Sequence, residues 1–129
     1  MKNTFIDLFA GCGGLSLGLE QAGFNPVYVN ELNKDALSTY LENRSEYEFL
    51  KSKKFHSNDI HELTKNNSTL SELSKNLKNK FNISKGDLSL VVGGPPCQGY
   101  SGIGHRRSYK VDKEKIPSNY LYKEMYKVI

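Results

Sequence analysis

The sequence predicts an α/β fold, with a parallel sheet of about four strands and helices packed against it. Two features predict it. Short β-branched and aromatic segments alternate with stretches whose apolar residues recur at helical spacing, the order that builds right-handed βαβ units. The first and last strand-like segments also run straight into glycine-rich turns, Gly11-Cys12-Gly13-Gly14 and Gly93-Gly94-Pro95-Pro96. Open parallel sheets gather their ligands at the carboxyl ends of the strands. Both turns are therefore expected on one rim, and chemistry is expected there.

Phe5-Ile6-Asp7-Leu8-Phe9 is the first strand, and the glycines end it. Leu15, Leu19 and Ala22 recur at i, i+4 and i+7, so a helix with that apolar face follows and stops at Gly23. Val27-Tyr28-Val29 is the second strand. Asp35 to Leu50 reads as one helix, with Ala36, Leu37, Tyr40 and Leu41 forming its apolar face, and Lys54-Phe55-His56 reads as a short third strand. Between residues 61 and 87, Leu63, Leu70, Leu73, Leu77 and Phe81 keep a helical spacing while Asn, Ser and Lys fill the positions between. That is the pattern of a surface helix crossing between strands. Leu88-Ser89-Leu90-Val91-Val92 is the last strand. Ser101 to Ser118 is rich in charge and is expected to form a long loop. Asn119 to Ile129 closes as a helix with Tyr122, Met125, Tyr126 and Ile129 on one face. No repeat or linker divides the 129 residues, one domain's worth of chain and enough to bury a core.

Composition removes several classes. The residues are 37% hydrophobic and 25% charged, and no apolar run approaches the ~20 residues of a bilayer-spanning helix. Met1-Lys2-Asn3-Thr4 leads directly into the first strand with no secretory leader, and two cysteines are too few for a disulfide framework. A cytoplasmic, reduced protein without a membrane partner is expected. Eighteen Lys and Arg against fourteen Asp and Glu leave a net charge of +4, which permits a polyanionic partner without requiring one. His56, His61 and His105 show no ligand spacing with either cysteine, so no metal site is expected, and His56 and His61 read as surface residues.

On the rim, the glycines of the first turn let a backbone approach a ligand closely, and the following helix turns its first amides toward whatever is bound. Glu31 follows the second strand about 20 residues on, where an acid in dinucleotide-binding folds takes ribose hydroxyls. Asp59 follows the third strand and is placed to accept from an adenine amino group. Taken singly, both read as helix-capping or solvated carboxylates; their common position after successive strands raises the binding reading. Together with the turn they suggest a nucleoside-containing cofactor. The turn reads G-C-G-G-L-S rather than G-x-G-x-x-G, which counts against a hydride-transfer cofactor and an oxidoreductase. In the second turn, Cys97 stands between Pro95-Pro96 and Gln98-Gly99, an exposed thiol on a stiff support, with His105, Arg106 and Arg107 nearby to favour a thiolate or hold phosphates. A lone cysteine is more often a small buried hydrophobe, but the prolines and glycines argue against burial here. Cys12 needs only to be small.

Asp7-Leu8-Phe9-Ala10-Gly11-Cys12-Gly13-Gly14, followed by Gly93-Gly94-Pro95-Pro96-Cys97-Gln98-Gly99-Tyr100-Ser101, resembles the cofactor and nucleophile motifs of DNA cytosine-5 methyltransferases. The Pro-Pro-Cys-Gln core is highly specific, and the resemblance runs over nearly the whole chain. It implies a Rossmann-like methyltransferase fold, with residues 1–129 forming the N-terminal portion of the catalytic domain. It implies S-adenosyl-L-methionine across the strand ends, with Phe9 and Ala10 against the adenine side and Gly11, Gly13 and Gly14 near the methionine part. Glu31 would take the ribose hydroxyls with Leu32 beside it, Asp59 the adenine amino group, and Ile60 and Pro96 would add contacts. Double-stranded DNA with a flipped cytosine is the implied substrate, and Cys97 the nucleophile that adds to ring carbon 6. Gln98 and Ser101 would lie near DNA, Arg106 and Arg107 toward phosphates. A Lys- and Asn-rich composition suits a bacterial origin, and the resemblance implies a restriction-modification system.

The chain also departs from the family. The Glu-Asn-Val motif, the later arginine-containing motif and the target-recognition region do not occur in it, and Ser118 stands where members often carry arginine. The sheet so read is unfinished, and the edge of its last strand is open to association. The expectation is a truncated polypeptide or one part of a split enzyme, inactive by itself in full methyl transfer. A complementing C-terminal chain, or self-association through that edge, is the expected partner. The alternative is a non-catalytic subunit that binds S-adenosylmethionine and relies on a complementing chain.

Overall fold

The computed structural model describes residues 1–96 and 120–129. Its first strand, β1 (Thr4–Leu8), is buried at every position because it has neighbours on both sides. β2 (Asn25–Asn30) pairs on one side of it and β4 (Leu90–Gly93) on the other, while β3 (His56–Ser57) lies outside β2. The order is β3-β2-β1-β4 and every pairing is parallel. The strand order reverses between β1 and β4, which makes that boundary the switch point of the sheet. Because the strands share one direction, Leu8, Asn30, Ser57 and Gly93 end on the same rim.

Register decides which side chains share a face. Asp7 lies opposite Val29 and Val92, whereas Ile6 lies opposite Tyr28 and Val91. The helices are α1 (Gly14–Gln21), α2 (Lys34–Glu42), α3 (Ile60–Thr64), α4 (Asn67–Phe81) and α5 (Leu121–Val128), with a 3-10 segment at Ser45–Lys51. Ser16 of α1 and Tyr40 of α2 both serve Asp7's side of the sheet. The opposite side receives α3 and α4, and α5 docks on α3 where the Thr64 hydroxyl donates to the Glu124 carboxylate. The core holds Ile6, Leu8, Val27, Val29, Tyr40 and Leu50, and Phe49, Phe55 and Phe81 add edge-to-face contacts.

Several elements differ from the sequence expectation, each for a local reason. The helix expected over Asp35–Leu50 stops at Glu42, because Arg44 leaves helical geometry (φ −127°, ψ 55°) and turns its guanidinium toward α1. The single helix expected between residues 61 and 87 is two, since Asn66 caps α4 by accepting from the Thr69 amide at 3.1 Å. In α1 the expected apolar face is not the buried one: Leu15 is 51% exposed, whereas Ser16 is fully buried by its hydrogen bonds to Asp7 and Tyr40. In α5 it is Leu121, Met125 and Val128 that pack on the core, and Tyr122, Tyr126 and Ile129 face outward. His56 is buried rather than on the surface, its Nδ1 2.7 Å from the Leu50 carbonyl. The third strand lies at His56–Ser57 rather than 54–56, and the last at Leu90–Gly93 rather than 88–92. The expected loop from Ser101 to Ser118 lies outside the described residues.

The close approach of β4 to β1 explains Gly93. A Cβ there would stand 2.5 Å from the Leu8 carbonyl oxygen. Gly93→Ala is therefore expected to lower stability by about 1–3 kcal/mol through overpacking, read as a lower urea midpoint. An unchanged midpoint would mean that the two strands separate at no cost.

Candidate functional site

The rim is built from the end of β1. Phe9 takes a left-handed conformation (φ 56°), unusual for a bulky residue, and carries the chain over the strand end. Gly11 (φ 59°) and Gly13 (φ 95°) continue the turn in the region that favours glycine. The Ala10 amide donates to the Asn30 carbonyl at 2.9 Å and the Gly13 amide to the Ala10 carbonyl at 3.0 Å, so the turn is tied to the end of β2 and to itself. Gly14 begins α1, and no side chain caps that helix end, which leaves its first amides to the rim.

Glu31 is the centre of this arrangement. Its Oε1 accepts from the Gly11 amide at 2.8 Å and its Oε2 from the Asn33 amide at 2.8 Å. A carboxylate has about four acceptor positions, and these two bonds leave one on each oxygen, which matches the two donors of a vicinal diol. β3 is tied in alongside: Asn30 Nδ2 donates to Ser57 Oγ at 3.0 Å and to the Asn58 carbonyl at 2.9 Å, and the Asn58 side chain donates to the Glu31 carbonyl at 3.2 Å. Leu32, next to Glu31, is 68% exposed.

Asp59 caps α3, as its single-residue reading had it. Its Oδ1 accepts from the His61 amide at 2.9 Å and lies 2.8 Å from His61 Nδ1, and these bonds hold its carboxyl below the usual range. Its other oxygen accepts nothing among the described residues. The Ile60 side chain is buried in the core and fixes α3 at the rim. Pro96 is half-buried just beyond the end of β4. Thus Gly11 and Glu31, and Ala10 and Gly13, come together through direct hydrogen bonds, Phe9 and Gly14 adjoin them in the chain, and Asn58 links Glu31 to Asp59 and Ile60. Cys97, Gln98, Ser101, Arg106 and Arg107 lie outside the described residues.

Beneath the turn lies a polar network that the apolar periodicity did not reveal. Asp7, 1% exposed, accepts at Oδ2 from the Ser16 hydroxyl (2.6 Å), which lies 2.7 Å from the Tyr40 hydroxyl. Asp7 Oδ1 is buried and has no hydrogen-bond partner among the described residues. Burial pushes the Asp7 carboxyl up to about 6, against the opposing pull of the Ser16 bond and the Arg44 charge. Burial likewise raises the Tyr40 hydroxyl. Arg44, 5% exposed, pairs with Glu20 at 2.7 Å and lies 3.8 Å over the Tyr40 ring. An acid inside a strand pattern was the one signal available for this network.

The model of the C-5 cytosine-specific DNA methylase family matches residues 3–129. The chain belongs to that family. The type II methyltransferase M1.HphI of Haemophilus parahaemolyticus is 37% identical over 130 residues, covering 100% of this chain and 29% of that protein. M.AgeI of Thalassovita gelatinovora is 35% identical over 102 residues, covering 79% and 20% respectively. The DNA (cytosine-5)-methyltransferase PliMCI of Paracentrotus lividus is 35% identical over 127 residues, covering 93% and 7%. Among the first curated relatives, the chain spans between 20% and 40% of their length. As a C-5 cytosine methylase family member, it carries the Rossmann-like architecture in its four parallel strands and flanking helices. Among the described residues no helix is long and apolar enough to cross a membrane.

Proposed function

We propose that this chain is the N-terminal portion of a methyltransferase catalytic domain, binds S-adenosylmethionine on the strand-end rim, and serves methyl transfer to carbon 5 of cytosine in DNA within a restriction-modification system. The observation that carries the reading is Glu31, held by the amides of Gly11 and Asn33 with one acceptor position left on each oxygen. That donor and acceptor set fits the ribose of the cofactor. Phe9, Ala10, Leu32, Asp59, Ile60 and Pro96 would line its adenosine side, and Gly11, Gly13 and Gly14 its methionine side. When bound, S-adenosylmethionine supplies an electrophilic methyl group.

The chemistry of the chain itself centres on Cys97. Its thiolate would add to carbon 6 of a flipped cytosine and move the electron pair of the 5,6 double bond to carbon 5, the position at which bound S-adenosylmethionine would supply its methyl group and be left as S-adenosylhomocysteine. Loss of the proton on carbon 5 then drives out the Cys97 sulfur and restores the ring. Gln98 and Ser101 would contact DNA, and Arg106 and Arg107 its phosphates. The outer edge of β4 carries no strand among the described residues, and the same reading gives it one from a complementing chain or a second copy.

Calorimetric titration of the chain with S-adenosylmethionine tests the cofactor half. Binding is expected for the wild type and about 30-fold weaker binding for Glu31→Ala, the loss of charge-assisted bonds to two hydroxyls. A cooperative thermal melt without binding by the wild type would overturn the assignment.

A further inference from the structure

The Gly13 carbonyl accepts twice: from the Leu17 amide at 2.9 Å, as the first bond of α1, and from Arg44 Nη2 at 3.0 Å. The same guanidinium donates to both oxygens of Glu20 (2.7 and 3.1 Å) and to the Tyr40 carbonyl (3.1 Å). It therefore grips the start of α1 at Gly13 and its later turn at Glu20 from a point just after α2. The fit is tight: a Cβ on Gly13 would stand 2.6 Å from Arg44 Nη1 and 2.6 Å from Tyr40 Cδ2. Guanidinium and ring thus leave no space for a side chain on Gly13, which stands in the left-handed conformation (φ 95°). Gly11, two residues earlier, carries the amide that holds Glu31.

We infer that Arg44 is a positioning residue for cofactor binding: through the Gly13 carbonyl it fixes the turn whose Gly11 amide sets Glu31. The inference rests on the reading of this rim as an S-adenosylmethionine site. A buried ion pair that served stability alone would be replaceable by apolar side chains of similar volume. Two methionines in place of Arg44 and Glu20 would restore packing and leave the second bond to the Gly13 carbonyl unmade. Stability and affinity should then separate.

The test is titration of the chain with S-adenosylmethionine, beside thermal melts, at a temperature where each variant is folded. Arg44→Met should lower Tm by leaving the partly buried Glu20 without its partner. The double variant Arg44→Met/Glu20→Met should recover most of that Tm and still bind about tenfold more weakly than the wild type, the share of one charge-assisted hydrogen bond. Leu73→Ala, a core change in α4, supplies a comparison of lowered Tm with wild-type affinity. Wild-type affinity in the double variant overturns the inference. Where the methionine variants do not melt cooperatively, Arg44→Lys decides, since an ammonium cannot reproduce the forked donors; a tenfold loss supports the positioning role and wild-type affinity overturns it. A folded wild-type chain that binds no S-adenosylmethionine overturns the underlying reading, and the inference with it.

Discussion

In the intact or complemented enzyme, methyl transfer is expected to fall at least ~10³-fold on Cys97→Ser, the scale of losing a nucleophile that acts with its site as a unit. A free thiol near pKa ~8.5 is a few per cent thiolate at neutral pH, and neighbouring cations raise that share. A serine hydroxyl has almost no alkoxide there. The covalent step gives a second readout. In DNA carrying 5-fluorocytosine, carbon 5 bears fluorine where the departing proton would be. Fluorine does not leave as a cation, so the proposed bond between Cys97 and carbon 6 would persist. A protein–DNA band on a denaturing gel is expected with S-adenosylmethionine and wild-type sequence, and none with Cys97→Ser. A band that survives the substitution would move the nucleophile elsewhere, with Cys12, exposed in the first turn, as the other thiol to examine.

The second large effect concerns Asp7. Its carboxyl rises from an ordinary value of 3.8 to about 6 in the folded chain, chiefly through burial. Between those values the folded state holds a proton that the unfolded chain releases, so stability falls as pH rises through the interval. Below about pH 4 this cost is absent, and above about pH 6 it is complete. Asp7→Asn keeps an acceptor for Ser16 and does not titrate. The difference in unfolding free energy between wild type and Asp7→Asn should therefore move by about 2 kcal/mol in favour of the variant between pH 4 and pH 7. Urea titrations of both proteins across that range measure it, and groups common to the two largely cancel. A flat difference would mean that Asp7 is solvated or paired when ionised.

The parts of this fold that the sequence revealed are those in which apolar periodicity and glycine placement act together. β1 and its turn, β2 with Glu31 at its end, and β4 leading into Gly94-Pro95-Pro96 all fall where the pattern put them, within a residue or two. What remained hidden is polar and non-local. Apolar spacing cannot show that Ser16 is the buried position of α1 or that Arg44 ends α2, because both are held by partners far along the chain. The same blindness assigned α5 the wrong face: its tyrosines count as apolar, but docking on α3 selects Leu121, Met125 and Val128. Glu31 was found by its place after a strand. The Gly11 amide that helps anchor it depends on the left-handed turn there, which spacing alone does not specify.

The strand order also sets a timetable for folding. β1, the most buried strand, is joined on one side to β2, which follows it closely. On its other side the Thr4 amide donates to Ser89 Oγ, a partner 85 residues later in the chain. At ribosomal rates of ~5–20 residues per second, roughly 4–17 s separate the synthesis of those two residues. During that interval β1 has one paired edge and one waiting edge, apolar and unprotected by its native neighbour. Such high contact order slows closure of the sheet. The half that carries the glycine turn and Glu31 is thus synthesised first, and β4 brings Gly94-Pro95-Pro96 to it later.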